Sequence, residues 1–224
     1  MKKSLSCRYL SIIAAVVVSV VSSSAYAQYT SIVNQAANML QTAVIGGFSY
    51  KGYVDASFTG GFGNLKANFA GLSTVQGFQY ADWFFMGAGL GVDLVFSNVD
   101  DYDGYIHGHD THSCGVMIPV FSDFRFNIGS RQSASFFIDI KAGGSFLVGG
   151  DYLAVQNGYI SSSEYFMLKP SLGVRIPVGK GGKQAFNLGI TYQLLTCNYW
   201  YDDWYNNTGS GTLNSLGGTV SFEW

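Results

Sequence analysis

From about residue 49 onward, apolar and polar side chains alternate with period two, the spacing at which successive side chains of a strand point to opposite faces. Eight such stretches are bounded by turn or loop composition: 49–63, 69–80, 84–97, 113–128, 134–149, 164–179, 184–197 and 212–224. The connections alternate in kind. Residues 81–83, 129–133 and 180–183 (ADW, GSRQS, KGGK) read as tight turns, while 98–112, 150–163 and 198–211 read as long polar or aromatic loops. The connection 64–68 is short but falls on the long-loop side. The pattern predicts an all-β fold of eight antiparallel strands running up and down, with turns at one end and loops at the other.

The two faces differ in chemistry. One carries Phe84, Met86, Leu90, Val92 and Leu94 in the third stretch, Ile118, Val120 and Phe124 in the fourth, and Phe186, Leu188 and Ile190 in the seventh, with no charge among them. The other carries Lys51, Asp55, Asp93, Asp123, Arg125, Asp139, Lys141, Lys169, Arg175 and Glu223, five basic and five acidic residues, with glycines such as Gly87, Gly89, Gly91, Gly143, Gly173 and Gly189 between them. A soluble sandwich would bury its apolar face and spread charge outside. A narrow eight-stranded barrel fills its interior with side chains, and buried charges there must pair. The one-to-one balance fits such a lumen, with the glycines making room for long Lys and Arg stems and the apolar face turned to lipid. The second stretch is the irregular one, because Gln76 interrupts one face and Gln79 the other; a bulge is expected there and at Pro119 and Pro177.

Composition narrows the class. Charged residues are 12% of the chain and aromatics 16%, against roughly 25% charged in a typical soluble domain. Residues 1–27 read as a secretory signal peptide: Lys2, Lys3 and Arg8 precede the apolar run 12–21, and Ala25-Tyr26-Ala27 fits a small-x-small cleavage site. That run is shorter than the roughly 20 residues a spanning helix needs. Its removal leaves nine basic and fourteen acidic residues, a formal charge of −5, which excludes the basic stripe that nucleic acid would require. Residues 28–48 form a leader in which Ile32, Val33, Ala36, Met39, Leu40, Ala43 and Val44 recur at helical spacing, ahead of the Gly46-Gly47 stop. An amphipathic helix over 31–45 on the periplasmic side is expected. Cys114 and Cys197 fall on strands three apart, one outward and one inward, an arrangement that disfavours a disulfide.

In order and spacing, YKGYVDASFTGGFG (50–63), FFMGAGLGVDLVFS (84–97), IPVFSDFRFNI (118–128), LKPSLGVRIPVG (168–179) and the closing SFEW resemble the small outer-membrane β-barrel family, the OmpX/OmpA-like barrels often labelled porin family. The resemblance covers residues 49–224. It implies a transmembrane barrel in the outer membrane of a Gram-negative bacterium, in contact with outer-membrane lipid. It also implies that Phe222 and Trp224 act as the assembly signal by which barrel-assembly machinery reads the last strand, and it carries no shared catalytic residues or cofactor.

Two loops hold the remaining chemistry. NVDDYDGYIHGHDTH (98–112) gathers His107, His109 and His112 beside Asp110 and three further aspartates, a donor set suited to zinc, copper or nickel. A calcium loop fits less well, since Val99 takes the first ligand position, and a simple solvated loop is the competing reading. NYWYDDWYNNTGSG (198–211) concentrates aromatics; Trp200, Trp204 and Tyr205 are suited to stacking on a glycan or docking a protein, or to an interfacial girdle. Every histidine lies in a loop and no strand offers a nucleophile–base pair, so no enzyme is expected. A closed scaffold presenting acidic, aromatic loops is favoured over a narrow porin for small solutes or a lipid-modifying enzyme.

Overall fold

The computed structural model describes residues 48–63, 65–97, 111–112, 114–148, 152–155, 158–160, 164–178 and 182–224 apart from 201–207. The signal-peptide and leader readings, with the helix over 31–45, lie outside these residues. Eight long strands dominate: β1 Phe48–Phe62, β2 Asn68–Tyr80, β3 Phe84–Phe96, β4 Cys114–Ile128, β5 Ser135–Val148, β6 Glu164–Val178, β7 Gln184–Trp200 and β8 Thr208–Glu223. Each pairs antiparallel with the next in sequence, and β8 pairs with both β7 and β1, where Tyr53 faces Glu223 and Phe62 faces Asn214. The ring is therefore closed. With no edge strand left, every interior ladder group has a neighbour.

On the eight long strands, the odd-numbered side chains that the structure describes point inward and the even-numbered ones outward. Nothing in that alternation is lost across the turns, so the faces read from the sequence are the faces of the barrel. The outward side is apolar and exposed all round, up to 66% for Phe136 and 63% for Leu172.

The expected bulges do not form. β2 pairs residue for residue with β1 from Tyr80–Phe48 to Phe69–Thr59, and with β3 from Tyr80–Phe84 to Asn68–Phe96. Its two glutamines are accommodated without a register shift. Gln79 points inward and is buried. Gln76 points outward, accepts from the Tyr50 hydroxyl and donates to Thr74 Oγ1 at 3.1 Å, so its amide is satisfied on the outer surface. At Pro119 the β3–β4 ladder lapses after Leu90–Val120 and resumes at Asp93–Met117 in the same register. Pro170 leaves the same gap in β6–β7, between Thr191–Ser171 and Leu194–Leu168. A missing donor interrupts the ladder there without inserting a residue. Pro177 lies beyond Arg175, the last β6 residue paired with β5, so no neighbour on that side requires its donor.

The long-loop end is more ordered than its composition predicts. β7 runs on to Trp200 and β8 starts at Thr208, taking half of the expected 198–211 loop into the sheet. Within the expected 150–163 loop, Tyr152–Val155 and Gly158–Ile160 form a small hairpin. It pairs with Tyr199–Trp200 of β7 on one side and with Thr111–His112 on the other.

Candidate functional site

The lumen is the region where the chain spends its charged residues. All ten predicted lumen residues point inward; nine are buried, and Lys169 is half-buried. The structure sorts them into layers.

At the turn end, Glu223 anchors a floor. Its carboxylate accepts from Arg175 Nε at 2.8 Å and Nη2 at 3.0 Å, and it pairs with Lys51 on the neighbouring strand. The rest of the Arg175 fork donates to the carbonyls of Arg131 at 2.9 Å and Gly182 at 2.8 Å. One guanidinium thus ties the last strand to two separate turns, a task suited to a planar five-donor group. Gly182 sits at φ +63, and a Cβ there would collide with the Arg131 backbone, so this carbonyl reaches Arg175 because the turn residue is glycine. Arg131 also bridges Asp82 of the first turn at 3.3 Å. The cavity left among Lys51, Gln79, Asn127, Arg175 and Glu223 measures about 10 Å³, room for about one water.

A second layer lies above the floor. Lys141 bridges Asp55 at 2.9 Å and Asp139 at 3.3 Å; Arg125 bridges Asp139 at 3.0 Å and Asp55 at 3.6 Å. Two cations and two carboxylates alternate across the barrel. The Arg125 guanidinium also lies 4.0 Å from the centre of the Tyr53 ring and 5.1 Å from that of Phe137, close enough for cation–π attraction. Asp123 is fully buried beside this quartet, against the Asp139 carboxyl, and among the described residues no cation forms an ion pair with it. Higher still, Lys169 donates to Ser57 at 2.8 Å and Gln193 reaches Asp93 at 3.5 Å.

The upper lumen departs from the sequence reading. Toward the loops the filling is apolar: Leu65, Ala67, Phe69, Val95, Met117, Tyr165, Met167, Leu195 and Leu213 are buried in one cluster. Leu153 and Ile160 of the loop hairpin belong to it and are 1% and 0% exposed. The hairpin is therefore a stopper seated in the barrel mouth. Sequence reasoning missed it because two apolar residues in a short polar loop have no periodicity to reveal which way they face. The inward glycines also do a different job from the one expected. A Cβ at Gly89 would come within 2.6 Å of the Phe121 ring, and one at Gly71 would strike the Asp93 carboxylate. These two make room for a ring and a carboxylate, while at Gly143 and Gly173 the nearest atoms are backbone of the neighbouring strand.

Of the other predicted sites, His107, His109, Asp110, Trp204 and Tyr205 lie outside the described residues, and for His112 and Trp200 only the backbone is described. Phe222 and Trp224 both point outward, their rings 6.4 Å apart. Among the described residues no group of three His, Cys, Asp or Glu side chains could hold a metal ion.

The fold and lumen together define a closed, filled, eight-stranded up-and-down β-barrel with an apolar exterior. Among solved structures the chain is similar to Neisserial surface protein A, at 11% sequence identity and a TM-score of 0.43, over 79% of this chain and 98% of that one. That likeness adds no weight to the ring of strand pairings. No family model matches the chain, and no curated protein matches it.

Proposed function

We propose that this protein is an integral outer-membrane barrel of the small OmpX/OmpA-like kind, acting as a closed scaffold that presents its loops outside a Gram-negative cell. The observation that carries the reading is the inversion of the faces. An exterior that exposes Phe58, Leu90, Phe136, Leu172 and Ile190 on five of the eight strands is far larger than the apolar patches a soluble monomer leaves in water. Inside, Lys51, Asp55, Arg125, Asp139, Lys141, Arg175 and Glu223 are paired with one another. Such a surface suits lipid, and a closed ring is the β architecture that leaves no unpaired backbone there.

Closure of the lumen favours a scaffold over a porin. A solute would have to displace both the apolar stopper around Leu153 and Ile160 and the Asp55–Arg125–Asp139–Lys141 quartet. Polarity follows from the short turns, which belong on the periplasmic side in such barrels; the acidic His loop and the aromatic loop then face the medium. Partners of these loops, a glycan or a surface protein, and a metal ion at His107, His109, His112 and Asp110 belong to this proposal, as does recognition of the closing strand by assembly machinery. A catalytic role is not part of it.

The test combines place and permeability. Full-length protein expressed in a Gram-negative host is expected in the outer-membrane fraction, cleaved after Ala27, and migrating faster on gels before boiling than after. Purified protein in planar bilayers is expected to be electrically silent. Recovery from the soluble periplasm would overturn the membrane reading, and reproducible large open steps would overturn the closed one.

A further inference from the structure

The seam between β8 and β1 holds an arrangement that pairing alone does not require. Trp224 follows β8 and sits opposite Gly52 of β1, joined by two reciprocal backbone hydrogen bonds, Gly52 N to Trp224 O at 3.3 Å and Trp224 N to Gly52 O at 3.1 Å. The indole lies over the glycine. A Cβ on Gly52 would fall 2.6 Å from indole Cε2 and 2.8 Å from Gln76 Oε1 of β2. Gly52 is accordingly buried although it belongs to the outward parity of β1, where Val54 and Phe58 are exposed. Gln76 is held there by Tyr50 and Thr74, and Trp224 is flanked on its own strand by Phe222, which packs on Phe186 of β7 at 5.1 Å.

We infer that Gly52 is a notch for the Trp224 indole, and that notch and indole form a latch holding the barrel seam shut. The latch spans four strands: Phe186 on β7, Phe222 and Trp224 at β8, Tyr50 and Gly52 on β1, Thr74 and Gln76 on β2. Each element explains a feature that is odd in isolation. Gly52 provides space that any side chain would fill. The indole covers the glycine and shares that space with the Gln76 amide, which Tyr50 and Thr74 hold on the outer face of β2. The pairing of first and last strands is the contact of greatest sequence separation in the ring, so it carries the largest loop-closure entropy. Buried ring area at that seam offsets it. Because the contact joins the two ends of the strand order, it becomes available only when the ring closes.

The test uses the full chain refolded into detergent micelles, with Gly218 as the control. Gly218 also lies on the outward face of β8, but the space beside it is open, the nearest atom to a Cβ being Gly189 O at 3.9 Å. Gly52→Leu is expected to lower the unfolding midpoint in urea and shift the folding equilibrium roughly tenfold or more, as overpacking does, while Gly218→Leu leaves it nearly unchanged. In a Trp224→Ala background the Gly52→Leu penalty is expected to vanish, since the notch is then vacant. Equal penalties at Gly52 and Gly218, or an undiminished Gly52→Leu penalty without the indole, would overturn the latch. Should Gly52→Leu fail to fold, Trp224→Ala alone decides by amide exchange. Faster exchange confined to β1 and β8 supports the latch; a uniform change, or none, refutes it.

Discussion

At the scale of single residues, Asp123 and Asp139 look interchangeable in the sequence. Both are inward aspartates two strand positions from another charge. The structure separates them. Asp139 holds Arg125 and Lys141 together within 3.3 Å, whereas Asp123 lies against the Asp139 carboxyl and bridges no cation. Removing one partner of a buried ion pair leaves an uncompensated charge and costs about 3–5 kcal/mol. Asp139→Asn is therefore expected to destabilise the barrel by that order, and Asp123→Asn by much less. Urea unfolding in micelles, followed by the gel shift between folded and unfolded forms, reads both. Equal losses would mean that Asp123 is bound into the network as tightly as Asp139.

At the scale of strands, the prolines show how the ladder tolerates a missing donor. Pro119 is inward, and its gap falls only on the β3 side, since pairing with Ser145 on β5 is regular. Pro119→Ala restores a donor worth about 0.5–1.5 kcal/mol, against about 0.4–1 kcal/mol lost to the freer unfolded chain. These nearly cancel. The expected outcome is a small change in the midpoint of unfolding but slower amide exchange in 90–93 and 117–120, measured by mass spectrometry. Unchanged exchange there would show that the gap has another cause.

The same strands mark how far the sequence could be read. Period two placed all eight of them within a few residues, because a barrel with unlike faces enforces one parity from end to end. It also placed every lumen charge inward. What it could not place were effects that depend on partners distant in sequence. The choice of Lys141 for Asp55, eighty-six residues away, is set by barrel closure and not by local pattern. Gln76 of β2 looked like a register fault because its hydrogen-bond partner Tyr50 lies on another strand. The loop hairpin was hidden for the same reason, its burial being decided by the mouth it enters.

At the scale of the molecule, the lumen is sealed twice by unlike means. The upper seal is an apolar cluster completed by Leu153 and Ile160; the lower one is the ionic quartet and the Glu223 floor. These respond differently to mutation. Replacing 150–163 by a short Gly-Ser linker removes the stopper and lets water into the upper lumen, but leaves Arg125 and Lys141 bridged across the barrel below. Such a variant is expected to remain silent in planar bilayers. Adding Arg125→Ala and Asp139→Ala to it takes away one cation and one carboxylate, keeps the charge balance, and leaves Lys141 with Asp55. Only this combined variant is expected to pass small ions, in brief low-conductance openings. Steady current from the loop replacement alone would mean that the hairpin is the barrier and the ionic layer merely holds the strands. Silence in every variant that still folds would place the barrier at the floor, where the Arg175 fork binds Glu223 and two turns.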